Sequence, residues 1–416
     1  ADSQDKLCQT YGGDMQQLSL LSEFPLPPDC ILSDLMNVNI HYDAVEALLE
    51  EYLQEELEQF ETLDVKAVPE TNLSVKWKYS SALQKSIRRG YVEDSVKYAL
   101  TYHSLDSVSF WNRLVIIAFE DCGVADVKVV AMTLAAARSK LFRQKLGGDK
   151  KVIHYLIKKL AESVKDRTVA DMCQVLENRS LSTEALTLLK TATHDELSSI
   201  TLTERHHFDL RIAAAWMLWG TDKMKNGRFP LRSGYRELFD HSIEQMKMPG
   251  LVKYITLRGM TACKGCAMNL TYPFVWLMMK QSPYVKVIET DLPQRYYIKD
   301  LPEFAYDKHT REGKAGYQNF YRSCPAVNEY LTTKGIVGRD EVTSAIGIAM
   351  FISESALLDR RINFQGAEEI YQMTVEDDYG KNGLSLSEGK ELARLIGANS
   401  DILRLARTRA VEGERV

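Results

Sequence analysis

Apolar residues in this chain recur three and four positions apart through most of its length and only rarely alternate. A three-four spacing puts apolar side chains on one face of an α-helix, whereas alternation marks a strand with one buried face. From Trp77 onward the helical pattern covers 79–89, 92–103, 108–120, 126–145, 150–165, 168–177, 182–191 and 204–219. It continues over 232–247, 249–257, 270–281, 314–332, 340–357, 365–375 and 387–409. Strand-like runs are few, and 284–288 is the best of them. Gly90, Gly123 and Gly147-Gly148 each follow a periodic stretch, where the residue ending a helix often takes left-handed dihedrals. The expected fold is all-α. No repeat of fixed period appears, which argues against a solenoid.

The first 65 residues differ in character. Residues 1–33 mix Gln, Gly, Asp and Pro and read as a loop or flexible arm. A helix is expected over 41–63, with Val45, Leu49, Tyr52, Leu53, Leu57 and Phe60 on one stripe and carboxylates opposite. Residues 64–76 look like a connector. No Lys or Arg lies between Lys6 and Lys66, while that span holds 13 Asp or Glu. The net charge of −5 therefore conceals an acidic arm on a body, residues 66–416, of +9. Charge per segment is the better guide to partners. Four segments are expected: the arm at 1–65, a helical domain at 66–200, a second helical region at 201–335, and C-terminal helices at 336–416.

Residues 81–126, SALQKSIRRGYVEDSVKYALTYHSLDSVSFWNRLVIIAFEDCGVAD, carry the most specific signal. Two helices turn at Gly90, and a third apolar helix ends at Glu120-Asp121-x-Gly123. Lys85, Arg88 and Arg89 lie in the last turns of the first helix, where positive charge complements the helix dipole. They are candidates for DNA contact, with plain solvated helix ends as the alternative. Glu120 and Asp121, as adjacent helical residues, are expected to point apart, each toward a basic neighbour or a helix end.

This block resembles the region just after the ATPase core in the RarA/MgsA/Werner-interacting family of AAA+ replication-fork proteins. Residues 301–320 (LPEFAYDKHTREGKAGYQNF) resemble a second, C-terminal element of that family through Asp307, Lys308, His309, Thr310, Arg311 and Gly313. The resemblance implies a RarA-like helical architecture close to DNA, with a region that also assembles subunits. The chain departs from the family in having no phosphate loop of the GxxxxGK[ST] type, so ATP-dependent activities do not carry over. A module without its motor is the kind of product compact phage genomes make. By role alone, phage single-stranded-DNA-binding cofactors of RNA polymerase are one class it could join.

Beside Lys85, Arg88 and Arg89, two segments lead as candidates for nucleic acid, and a third, thinner basic loop lies at 223–236. Residues 138–167 hold ten Lys or Arg against three acids, dense enough to follow a phosphate backbone. Arg138, Lys140, Arg143, Lys145, Lys150, Lys151, Lys158 and Lys159 lead this set. Residues 295–322 interleave cations and rings, as single-strand binding requires: a positive groove plus aromatic faces for base stacking. Arg295, Tyr296, Tyr297, Lys308, His309, Arg311, Lys314 and Tyr317 are the candidates there. The acidic arm could occupy such a groove in competition with DNA, or dock on a phage polymerase.

Composition changes this picture little. At 45% hydrophobic and 26% charged the chain is an ordinary globular protein. No apolar run reaches the roughly 18–20 residues that span a bilayer. The first residues lack the pattern of a signal peptide. Seven scattered cysteines read as reduced thiols. A cytoplasmic protein without membrane or cofactor is expected. Cys263-x-x-Cys266 stands alone, without the second ligand pair that structural zinc needs. His206-His207 is expected to cap or pack, and no catalytic constellation is visible. The leading expectation is a non-enzymatic single-stranded-DNA-binding accessory protein, a homo-oligomer in replication, recombination or transcription. An adaptor or oligomerisation module is the main alternative, and an enzyme with an unseen site is the third.

Overall fold

The periodic segments fold as helices, and capping chemistry cuts several that read as continuous. In the computed structural model, residues 35–262 and 267–413 are described. The chain passes through α1 (Tyr42–Glu58), α2 (Lys76–Arg88), α3 (Val92–Leu105) and α4 (Ser107–Ile117), which runs into a π-turn over Ala118–Cys122. Next come α5 (Val127–Arg138), α6 (Lys140–Lys145), α7 (Asp149–Glu162), α8 (Thr168–Asn178), α9 (Thr183–Thr191) and α10 (His194–Leu202). They are followed by α11 (Phe208–Trp219), α12 (Arg236–Gln245), α13 (Gly250–Ala262) and α14 (Met268–Gln281). Strand β1 (Val285–Glu289) and the hairpin β2 (Tyr297–Ile298)–β3 (Leu301–Pro302) precede α15 (Arg311–Ser323), α16 (Pro325–Thr333) and α17 (Arg339–Met350). A second π-turn (Phe351–Ser355) leads to β4 (Arg360–Phe364), α18 (Ala367–Gly380), α19 (Leu386–Ala398) and α20 (Ser400–Glu412). The all-α expectation holds, and the expected strand at 284–288 forms as β1.

Each break has a local cause. The segment 126–145 divides at Ser139, which is extended (φ −138°, ψ 117°) and whose hydroxyl accepts from Phe142 N at 3.1 Å. Such a cap satisfies one of the orphan amides of a new helix. The segment 314–332 divides before Pro325, which starts α16. Helix α10 falls outside the expected segments. Its signal was the capping box Thr193-x-x-Glu196, formed here in both directions.

The apolar side chains gather in two cores. The larger runs from Leu35 to Tyr306 and takes back Ile362, Phe364, Ala367 and Ile370. The smaller lies within Tyr317–Met350 and Val375–Ala406. These cores cut across the four expected segments: 66–200 and most of 201–335 share one core. Strand β1 pairs antiparallel with β4, Val285 opposite Phe364 and Glu289 opposite Arg360, and so draws the chain back onto the larger core.

The acidic helix is not a free arm. Val45, Leu49, Tyr52, Leu53 and Leu57 of α1 are buried in the larger core. Residues 1–33 of the expected arm, and the Cys263-x-x-Cys266 motif, lie outside the described residues. Among the described residues, no helix is long and apolar enough to cross a membrane.

Candidate nucleic-acid interface

Helix α2 packs against α3 and lies under residues 303–307, so the two blocks that carry the RarA resemblance meet in space. Ser81 donates to the carbonyl of Ala305 at 2.8 Å, and Lys78 pairs with Glu312 at 2.7 Å. This packing overturns the expected role of three cations. Lys85, Arg88 and Arg89 are all buried, not solvated.

Lys85 pairs with Asp307 at 2.8 Å. Arg88 Nε donates to Asp121 Oδ1 at 2.7 Å and Nη2 to Glu120 Oε1 at 2.8 Å. The π-turn widens the end of α4, and its two carboxylates converge on one guanidinium instead of pointing apart. Arg167 reaches the same pair, Asp121 at 2.6 Å and Glu120 at 3.1 Å. Arg89 donates to the carbonyls of Lys85 and Glu354 and lies 4.2 Å over the Phe304 ring. Glu354, from the second π-turn, accepts from both Nη atoms of Arg407 at 3.0 and 2.7 Å.

The result is a polar seam between the two cores, with Lys85, Arg88, Arg167 and Arg407 balanced by Glu120, Asp121, Asp307 and Glu354. Burial would raise the Glu120 carboxyl, but Arg167, Arg88 and Arg113 outweigh it and hold it at about 2. Burial lowers the Lys85 ammonium to about 8 despite Asp307. Asp171, on α8 beside the seam, goes the other way: burial raises its carboxyl to about 7 against the pull of Arg167. Paired charges of this kind hold a fold in register; they are not available to a ligand.

The basic stretch 138–167 divides the same way. Arg143 is buried, with its Nε donating to Asp149 at 2.8 Å and its guanidinium 4.2 Å over Trp111. Its expected phosphate contact is therefore corrected to a structural one. Lys165 is buried against the carbonyls of Ala161 and Ser163. On the surface, Arg138 pairs with Glu46, Lys159 with Glu56 at 3.3 Å and Lys158 with Glu162 at 3.8 Å. What remains is Lys140, Lys145, Lys150 and Lys151, with no ion pair among the described residues. Lys145, Lys150 and Lys151 flank the turn between α6 and α7, and Lys140 starts α6. Gly147 (φ 95°) and Gly148 (φ 91°) take left-handed dihedrals there, and the Lys151 stem passes over Gly147 where a Cβ would crowd it.

In the segment 295–322, Tyr317 is wholly buried in the smaller core and offers no stacking face. Arg295 pairs with Asp94 at 2.6 Å and lies 4.5 Å over Tyr91. Tyr297 is 45% exposed, donates to Asp94 at 2.8 Å and has the Arg295 guanidinium 5.3 Å over its ring. Tyr296 is covered by the Arg404 guanidinium at 3.5 Å. Lys308 is half-buried over Phe351. His309, Arg311 and Lys314 are exposed around the start of α15, without ion pairs among the described residues. Partial burial, then the Lys308, Lys85 and Arg113 charges, lower His309 below the usual histidine range against Asp307.

Arg113 escaped the sequence reading. It is the lone cation in the apolar run of α4, half-exposed, and it donates to Gln84. Among the described residues no group of His, Cys, Asp and Glu is arranged to hold a metal. The surface thus carries two banks of unpaired cations, one at the α6–α7 turn and one at the start of α15. Comparison with protein-family models, curated proteins and solved structures finds no match to this chain.

Proposed function

We propose that this chain is a non-enzymatic single-stranded-DNA-binding protein, an accessory factor in replication, recombination or transcription. One observation carries the reading: Lys140, Lys145 and Lys150 are exposed and Lys151 half-buried along α6 and the start of α7, all four without carboxylate ion pairs among the described residues. Unpaired lysines are the groups that release counterions when they meet phosphates. The 45% exposure of Tyr297 supports single strands over duplex, since bases must be unstacked to meet a ring. The spatial meeting of the two RarA-like blocks supports a role on DNA intermediates.

Titration of labelled single- and double-stranded oligonucleotides at two salt concentrations tests it. Tighter single-strand binding that falls steeply with salt is expected, and absence of binding at low salt refutes the proposal.

The adaptor reading keeps one specific observation. Glu50, Glu51, Glu55 and Glu58 face solvent along α1, without ion pairs among the described residues. Such a ridge suits a basic partner surface, a phage polymerase included. A chain that binds no oligonucleotide but retains a protein partner lost on Glu→Lys changes here would favour that reading.

A further inference from the structure

The two cation banks stand on opposite flanks of a single helix. On α4, Trp111 lies under Arg143, the residue that anchors the α6–α7 turn, while Arg113 reaches the other way, to Gln84 of α2, whose neighbour Lys85 pairs with Asp307 just before His309. At 100° per residue, Trp111 and Arg113 are some 200° apart around α4. Between them run Val108, 70% exposed, and Asn112, also exposed, with half-buried Ser109 and Ile116, and Val115 buried at the Trp111 edge. This stripe carries no acid. The acidic residues nearest it are engaged: Asp106 with Lys76, Asp149 with Arg143 and His103, and Glu120 with Arg88.

We infer that the exposed stripe of α4 is a saddle over which one strand passes from the α6–α7 lysines to His309 and Arg311, with Arg113 as the central phosphate contact. This rests on the proposed single-strand binding and specifies its path. The gap is about two helix diameters, roughly 20 Å, and a strand that covers both banks as well as the gap occupies more than the ~4 nucleotides at the lower end of single-strand sites. Val108 offers an apolar surface to an unstacked base, and Asn112 can hydrogen-bond a base edge or a phosphate. A duplex would meet the saddle only with one strand and gain less from the second bank.

The test uses the full chain and oligothymidylates of 4 and 16 nucleotides, measured by competition at low salt. The wild-type protein is expected to favour the 16-mer strongly, because only it reaches both banks. Arg113→Glu should reduce 16-mer affinity about tenfold or more while leaving the 4-mer nearly unchanged, because the short strand needs one bank only. Asn112→Glu touches no hydrogen bond seen in the structure and should act in the same direction, which covers the case in which the Arg113 variant fails to fold. Unchanged 16-mer affinity in a folded variant, or equal losses for both lengths, overturns the path while leaving single-strand binding intact. No binding of either length by the wild-type chain overturns both.

Discussion

Two sets of basic residues, near each other in sequence and of the same chemistry, have opposite fates. Lys85, Arg88, Arg89 and Arg143 are buried and bonded to carboxylates or carbonyls, whereas Lys140, Lys145 and Lys150 are exposed and Lys151 half-buried, all without ion pairs among the described residues. The difference lies in what packs above each. The first three sit beneath the segment that joins the two cores, and Arg143 is pinned between Trp111 and Asp149. The second set lies along α6 and the start of α7, with Glu50 of α1 beside Lys145 but no ion pair among the described residues. Local charge density therefore says little about binding. A cation's role is decided by whether a carboxylate or carbonyl of the folded chain reaches it first.

This contrast predicts that the two sets break different properties. Arg88→Met leaves Glu120 and Asp121 with Arg167 as their remaining ion-pair partner, so the fold should lose about 3–5 kcal/mol, the usual cost of stripping one partner from a buried pair. Urea denaturation checks this, and a loss under 1 kcal/mol would mean that the seam is not a structural element. The quadruple change of Lys140, Lys145, Lys150 and Lys151 to Glu should leave the denaturation midpoint nearly in place. It should weaken single-strand binding by orders of magnitude and flatten the slope of log K against log salt by about 3, at ~0.7 per phosphate contact. An unfolded variant or an unchanged slope would erase the distinction between the sets.

Much of this architecture was legible beforehand, and what escaped has a common cause. Helical periodicity located most helices, and the strand at 284–288 was visible from its alternation. Breaks at Ser139 and Pro325 follow from capping and ring chemistry that a hydrophobicity pattern averages away. The burial of Arg88, Arg89 and Tyr317 depends on partners such as Asp121, Glu354 and Arg407, separated by tens to hundreds of residues; no local window contains them. The Glu120-Asp121 convergence needed a π-turn, which has no sequence mark comparable to a capping box. Arg113 was legible in principle, as one charge in an otherwise apolar helix, but its meaning depended on His309 arriving from far along the chain.

Within the seam, Asp171 is the member whose charge is least well compensated. Its carboxyl is raised to about 7 by burial, with Arg167 opposing and Asp166, Glu120 and Asp378 adding to the rise. The folded chain therefore holds a proton on Asp171 that the unfolded chain releases near pH 4. Stability from this group is greatest below pH 4, falls as pH rises toward 7, and stays reduced above it. Asp171→Asn should raise stability at pH 8 by about 1–3 kcal/mol, at 1.36 per pKa unit less the lost attraction to Arg167, and change little at pH 4. Denaturation of both proteins at the two pH values decides it, and an equal shift at both would remove the titration from the explanation.

The smallest effect belongs to Lys299, a cation in neither set. It is exposed, it occupies the first position of the two-residue turn between β2 and β3, and its φ is 55°, the one left-handed non-glycine residue among those described. A side chain at that φ brings Cβ against the following carbonyl, at a cost of about 1–2 kcal/mol. Hairpin turns with positive φ at the first central position alone prefer glycine there. Lys299→Gly removes the strain and returns roughly 0.5–1 kcal/mol of it as unfolded-state entropy. The expected result is a gain of up to about 1 kcal/mol in urea denaturation, with single-strand affinity changed less than twofold. A loss of affinity comparable to that of the lysine-turn variant would place Lys299 in the binding surface, and exposure near Tyr297 would then matter more than the absence of a carboxylate partner.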